Sequence, residues 1–429
     1  MGSLTEHELR RSVVNEMHLR KWPPLNAPCQ IFQILRTHDA DQETMAQTVI
    51  DALPSDAKAS HSQPRHVTGS FSGGASFTWE QHSEASTTSL FLADGAAIGS
   101  GTVPSEPSEA SELAWAKQLP GKVIRATRLI VTKSVEEAEA LLPLLGLDRQ
   151  ELVSCYVGAT PHHAGARIWS DFRIGPDGFG MAIVAANDLG AADLSRAVQR
   201  FQELGNYRNL ALLGLPVAQS GWRELDAVEK EINRLTGQIA NASVRDDDLL
   251  DAITKISIRL ISDASAHDFR LDATQAYAQI VEDRLADLNI GPCEGYQSLA
   301  DFTQRRFLPA VRTCSAHQRR MQQLALRAEQ FVALFRTRIE TRIENQNAQL
   351  LASMERATVR QLRLQQLVEG LSVVALSYYA LGLLVHILEG VEVVVPQLHS
   401  SVVAAGMTPV LVAVIWWTMR RMKAKHLQD

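Results

Sequence analysis

The clearest hydrophobic pattern lies at the C-terminal end of the chain. Residues 368–388 are almost wholly apolar, and a second apolar run covers 401–419 after a short polar loop. Each run is long enough to cross a hydrocarbon core, which takes roughly 20 residues of helix. The loop, 389–400, carries Glu389, Glu392, Pro396 and His399 but no Lys or Arg. Arg356, Arg360 and Arg363 precede the first run, and Arg420, Arg421, Lys423 and Lys425 follow the second. The positive-inside rule then predicts a two-helix transmembrane hairpin with both ends cytoplasmic and the loop outside. The first 20 residues are polar and charged, with no apolar stretch of a secretory signal, which agrees with a cytoplasmic N-terminus.

Upstream, short alternating runs rich in β-branched and aromatic residues predict strands at 29–36, 77–82, 87–92, 122–132, 151–158, 166–174 and 179–185. Gly175-Pro176-Asp177-Gly178 is a turn joining the last two as a hairpin. Helical spacing is predicted over 41–53 and 135–145, the second closed by Gly146. The Ser/Gly/His-rich stretch 54–74 and the Gly/Ala/Ser/Pro-rich stretch 94–112 are expected to be loops. Strand signals stop after Asn187. Helices are expected over 194–213, 218–239, 247–263, 273–288 and from Tyr296 onward, with Pro309 marking the last break.

From 310 to 388 there is no proline, and no glycine before Gly370. Leu324, Phe331, Phe335, Ile339, Ile343 and Leu350 recur near helical or heptad spacing. One helix over this stretch would hold about 79 residues and run roughly 120 Å. The expected fold class is therefore α+β. A cytoplasmic mixed α/β domain (1–187) leads to a helical region (188–309) and a long stalk helix (310–367). Spans 368–388 and 401–419 flank the external loop, and a basic tail (420–429) ends the chain. An apolar stripe on so long a stalk is buried by self-association, so a homo-oligomer is expected.

Bulk properties narrow the function classes. Mean hydropathy of −0.08 reflects two short spans diluted by a polar remainder. A net charge of −6 argues against a general nucleic-acid binder. Cys29, Cys155, Cys293 and Cys314 have no metal-ligand or redox spacing and fit apolar filling in a reducing compartment.

Candidate chemistry is sparse. Glu16 and His18, His82 with Glu80 and Glu84, His162 with His163, and Asp171 beside Trp169 offer imidazole and carboxylate. None forms a His-Glu-x-x-His or Cys-x-x-Cys pattern. There is no Gly-x-Ser-x-Gly, and Ser72-Gly73-Gly74 lacks the Lys-Ser/Thr successor of a phosphate loop. No enzyme activity and no catalytic residue are expected. Within the hairpin, Glu369, Ser372, Tyr379 and His386 recur at spacings of three and seven and fall near one helix face, the candidate lining of a pore. Glu389, Glu392 and His386 are weak candidates for a divalent cation, the single cofactor these residues suggest.

Several runs together resemble a known family. They are Asn15-Glu16-Met17-His18-Leu19-Arg20 with Pro23-Pro24-Leu25-Asn26-Ala27-Pro28, then Phe77-Thr78-Trp79-Glu80-Gln81-His82-Ser83-Glu84. Trp169-Ser170-Asp171-Phe172-Arg173, Tyr207-Arg208-Asn209-Leu210 and Leu364-Gln365-Gln366-Leu367-Val368-Glu369-Gly370 follow. The chain resembles the bacterial membrane-anchored proteins grouped as domain of unknown function 3422. That resemblance implies an inner-membrane protein and no particular activity. The layout of cytoplasmic domain, stalk and two spans is also similar to the CorA-type magnesium transporters. Their Gly-Met-Asn signature is absent at the corresponding Leu388-Glu389-Gly390-Val391-Glu392. The layout leaves two expectations, an oligomer that passes cations and an anchor that holds a binding domain at the bilayer.

Overall fold

A computed structural model describes residues 7–16, 22–38, 45–93, 111–158, 165–239, 244–392 and 400–426. The chain forms two compact units, Met1–Val244 with Asp251–Phe331, and Arg245–Leu250 with Val332–Asp429.

The first unit is built on one sheet of ten strands among the described residues. They are β1 (Cys29–Thr37), β2 (Ala57–Gln63), β3 (His66–Phe71), β4 (Ser76–Gln81), β5 (Ala85–Leu92), β6 (Lys122–Thr132), β7 (Val153–Val157), β8 (Ala166–Ile174), β9 (Gly180–Ala185) and β10 (Gly291–Pro292). Their order is β10-β7-β8-β9-β6-β1-β5-β4-β3-β2. Of the pairings, β6 with β9 is parallel and the others are antiparallel. The α-helices among the described residues are α1 (Arg10–Glu16), α2 (Met45–Asp51), α3 (Ser111–Gln118), α4 (Val135–Leu144), α5 (Ala191–Leu212), α6 (Gly214–Gln238), α7 (Asp246–Asp287), α8 (Leu299–Glu392) and α9 (Ser400–His426).

The sheet is buried on both faces, and the period of two in its strands sorts residues between them. Ile31, Leu129, Val131, Ile168 and Val184 join a core with α5 and α7 residues such as Val198, Phe201 and Val281. Their neighbours Ile130, Trp169 and Ile183 face the other way, against Leu141 and Leu142 of α4. Farther along that side, Phe32, Phe77 and Trp79 pack on Leu113 and Trp115 of α3. This is the α+β class that the pattern predicts.

Four expectations are corrected. The stretch 54–74 contains β2 and β3 rather than a loop. β2 is a sheet edge whose residues are all exposed or half-buried, so small polar residues serve there and no alternation is needed. The helices expected at 247–263 and 273–288 are one continuous helix, α7. Pro309 does not break the last long helix, which begins at Leu299 and carries Pro309 inside it. After Asn187 the sheet also gains the two-residue edge strand β10. Residues 94–110 of the loop expected over 94–112 lie outside the described residues, and Ser111 begins α3.

In the second unit, α8 runs unbroken through the stalk and the first apolar run, and α9 holds the second. Both are long and apolar enough to cross a membrane, with mean hydropathy of 2.0 and 1.8 over their most apolar windows.

Candidate functional site

The two long apolar helices carry most of the residues that the sequence singles out, and their burial pattern sorts them. On α8, Glu369, Val373, Ser377, Ala380, Leu384 and Leu388 are withdrawn from solvent, at steps of three and four. On α9, Ala404, Thr408, Leu411, Ile415 and Met419 are withdrawn in the same way. These stripes are the least exposed seam of each arm. Ser377 and Ala404, at 8% and 6% exposed, are the most enclosed positions of that seam.

Ser372 is half-buried at the border of the seam, with its hydroxyl donating to the Val368 carbonyl at 2.8 Å. Tyr379 is 74% exposed, and the His386 side chain is equally open. At roughly 100° per residue, Ser372, Tyr379 and His386 lie within about 40° of one another around the helix. Glu369 lies about 60° from Ser372, within the seam. Of the four pore candidates, Tyr379 and His386 therefore lie on the exposed face of α8, while Glu369 lies on its least exposed stripe.

His386 Nδ1 stands 3.3 Å from Glu389 Oε2, one turn along the helix. The Glu392 side chain lies outside the described residues, as do Pro396 and His399. Among the described residues no three His, Cys, Asp or Glu side chains gather as metal ligands. At the other end of the hairpin, Arg420 and Arg421 lie over the Trp416 and Trp417 rings at 4.9 and 5.0 Å. That pairing suits an interface, where an amphipathic ring and a cation share the headgroup level.

The remaining candidates lie in the first unit. His18, His162 and His163 fall outside the described residues, and so does the side chain of Glu16. Glu84 receives a two-pronged ion pair from Arg270, at 2.9 and 2.5 Å, joining the β4–β5 turn to α7. His82 bonds Thr87 Oγ1 at 3.0 Å and meets Tyr207 edge-on. Asp171 accepts the Arg173 backbone N–H at 3.0 Å, a local turn bond. Glu203, whose carboxyl burial pushes up, is held 2.8 Å from Arg284 Nε. Each of these groups serves the fold. The four cysteines are free, and burial raises Cys29 and Cys155 to about 12, so both stay as inert thiols.

Sequence patterns do not single out Arg125 or Arg208, although Arg208 lies within one of the runs that carry the family resemblance. Arg208 is buried and Arg125 half-buried, and both line one cavity beside β6, β8 and α5. Spacing alone could not find them, because Arg125 lies on β6 and Arg208 on α5, far apart in the sequence.

Among known proteins, a family model described as "Protein of unknown function (DUF3422)" matches residues 5–426. No curated protein and no solved structure matches.

Proposed function

The chain belongs to this family of unknown function, DUF3422, and on that premise we propose a role from its geometry: a two-span protein of the bacterial inner membrane that works as a homo-oligomer joined through its stalk. Both termini and the first unit lie in the cytoplasm, following the charges that flank the spans.

One observation carries this reading. Every residue of α8 from 340 to 368 is exposed, yet the stretch keeps a heptad pattern. Ile343, Leu350, Ala357 and Leu364 recur every seven residues. Asn347, Met354, Gln361 and Val368 fill the companion position three residues before or four after. Apolar residues on such a seam bury themselves in a parallel coiled coil, and an Asn there sets register at a cost in stability. A lone helix in water would leave the whole stripe wet.

Assembly about the stalk brings copies of the first span together, in a layout similar to that of CorA-type transporters. The face bearing Tyr379 and His386 is exposed on α8 and available to neighbouring copies, with Glu389 and Glu392 at its outer end. Cation passage along that face is the activity this arrangement supports, since rings of carboxylates favour cations. The second reading is a tether that holds a binding domain at the membrane, and the cavity beside Arg208 favours it.

The oligomer reading is tested by light scattering on the detergent-solubilised full chain. The wild type is expected as an oligomer, and Leu350→Glu with Leu364→Glu as a monomer of unchanged helicity. A monomeric wild type overturns the reading. Uptake of divalent cations by cells expressing the protein, set against the Glu389→Ala, Glu392→Ala pair, then separates transport from tethering.

A further inference from the structure

The first unit has an open-mouthed cavity of about 290 Å³ between β6, the β8–β9 turn and α5. Val123, Ile124, Ile174, Met181 and Phe201 give it apolar walls. Its charge is unusual. Arg125 and Arg208 both line it, and among the described residues neither pairs with a carboxylate.

Arg125 is held entirely by neutral groups. Nη1 donates to Asn206 Oδ1 at 2.8 Å, and more weakly to Gln33 Oε1 at 3.3 Å. Nη2 donates to Gln202 Oε1 at 2.7 Å. The guanidinium lies flat on α5 at Gly205, where a Cβ would come within 2.6 Å of Cζ. A side chain at that position would push the guanidinium off this surface. Burial, reinforced by the charge of Arg208, lowers Arg125 to about 9.

Arg208, one helical turn beyond Gly205, is 9% exposed. It stacks at 4.5 Å on the Phe172 ring and lies 5.7 Å from that of Phe302, with no hydrogen bond or ion pair among the described residues. Burial lowers it to about 10. The ring beneath it is held by strain. Phe172 sits at φ 56°, inside the irregular pairing of β8 with β9 between Ser170 and Ile174. A bulky residue there is an outlier that the surroundings must enforce, at a cost of order 1–3 kcal/mol. Asp171 and Ser170 help to enforce it, since Ser170 Oγ accepts the Phe172 N–H at 3.2 Å.

A buried cation without an anion is costly, and a second one beside it more so. The fold spends glycine, strain and a layer of amides to keep these two guanidinium groups in place. Five N–H donors on each, in a planar fork, match a carboxylate or phosphate. We propose that this cavity is a binding site for a small organic oxyanion, its carboxylate or phosphate head on Arg208 and its apolar or aromatic body against the Phe172, Phe201 and Met181 walls. The volume lies at the low end for small-molecule pockets and sets the size of the body at about one ring. Arg125 is a positioning residue, because its donors are already taken by side-chain amides and its charge acts at short range on the same anion. The proposal stands on the soluble unit alone and is independent of whether the hairpin passes cations.

The test is calorimetric titration and thermal unfolding of the full chain in nanodiscs of zwitterionic lipid. Phenyl phosphate and benzoate serve as probes, with inorganic phosphate and benzyl alcohol as single-feature controls. One or both organic anions are expected to bind and raise Tm, inorganic phosphate to bind more weakly, and benzyl alcohol not at all. Arg208→Met is expected to lower the affinity at least tenfold while its ligand-free Tm equals or exceeds the wild-type value, since it removes an uncompensated charge. Failure of both organic anions to bind overturns the proposal, as does equal binding by Arg208→Met. A ligand-free Arg208→Met that melts well below wild type also overturns it, because Arg208 would then be a structural cation. Arg208→Lys, which keeps charge without the fork, is expected to retain part of the response.

Discussion

Single residues in this protein show how burial, more than neighbouring charge, sets their chemistry. His317 is the clearest titratable example. It is 1% exposed, its ring nitrogens make no well-formed hydrogen bond, and it is wedged against Gly221, where a Cβ would stand 2.3 Å from Nε2. Trp222 and His267 flank the ring edge-on. Burial, and behind it the proximity of His267, lowers its protonation below the ordinary value, with Arg320 acting in the same direction and Glu224 against. In the unfolded chain this imidazole titrates near about 6.5. Below that pH the unfolded state binds a proton that the folded state resists, so stability falls as pH drops toward the lower folded value. Above it the contribution is complete. Melting curves between pH 7.5 and 5.5 should show Tm falling with pH, and His317→Leu should flatten the slope. An unchanged slope in that variant assigns the sensitivity elsewhere.

Elements follow the hydrophobic pattern wherever one face decides the fold. β1, β6, β8 and β9 were legible because both faces are buried and their runs are long and β-branched. The β8–β9 hairpin was legible through its Gly-Pro-Asp-Gly turn, where Gly178 takes a positive φ of 83°. The polar edge β2 was not, since pairing with β3 supplies what its side chains lack. Pro309 shows a tertiary override of a local rule. Sequence reading breaks the helix there, yet α8 carries the proline at an exposed position eleven residues in, where water can reach the Arg305 carbonyl left without a backbone donor. Its Thr313 neighbour donates to the Pro309 carbonyl at 2.9 Å. Restoring the missing bond should help: Pro309→Ala is expected to stabilise by about 1–3 kcal/mol, read from denaturant midpoints. A neutral or destabilising result means that the proline's local bend is itself used in packing. The candidate site divides in the same way. The hairpin residues were visible from periodicity. The Arg125–Arg208 pair was not, because its members come together through the packing of α5 on β6, which no spacing encodes.

For the whole molecule, the decisive quantity is which side of the bilayer each segment occupies. Two apolar helices are joined by a loop with carboxylates and no Lys or Arg, and they are flanked by arginines on both outer sides. The proposed orientation places the arginines of both outer flanks on the cytoplasmic side, as the positive-inside rule favours. In that orientation Trp416 and Trp417, paired with Arg420 and Arg421, would lie at the cytoplasmic surface. Substituted-cysteine labelling reads this directly. Cys29, Cys155 and Cys314 are buried, so replacing the half-buried Cys293 by Ser leaves a quiet background. In intact spheroplasts, His399→Cys in the loop should react with a membrane-impermeant maleimide, and Lys425→Cys in the tail should react only after the membrane is opened. The opposite labelling inverts the molecule and moves the arginine cavity to the periplasmic side. Labelling of both positions in sealed spheroplasts removes the hairpin, and with it the reason for the stalk to carry an apolar seam into lipid.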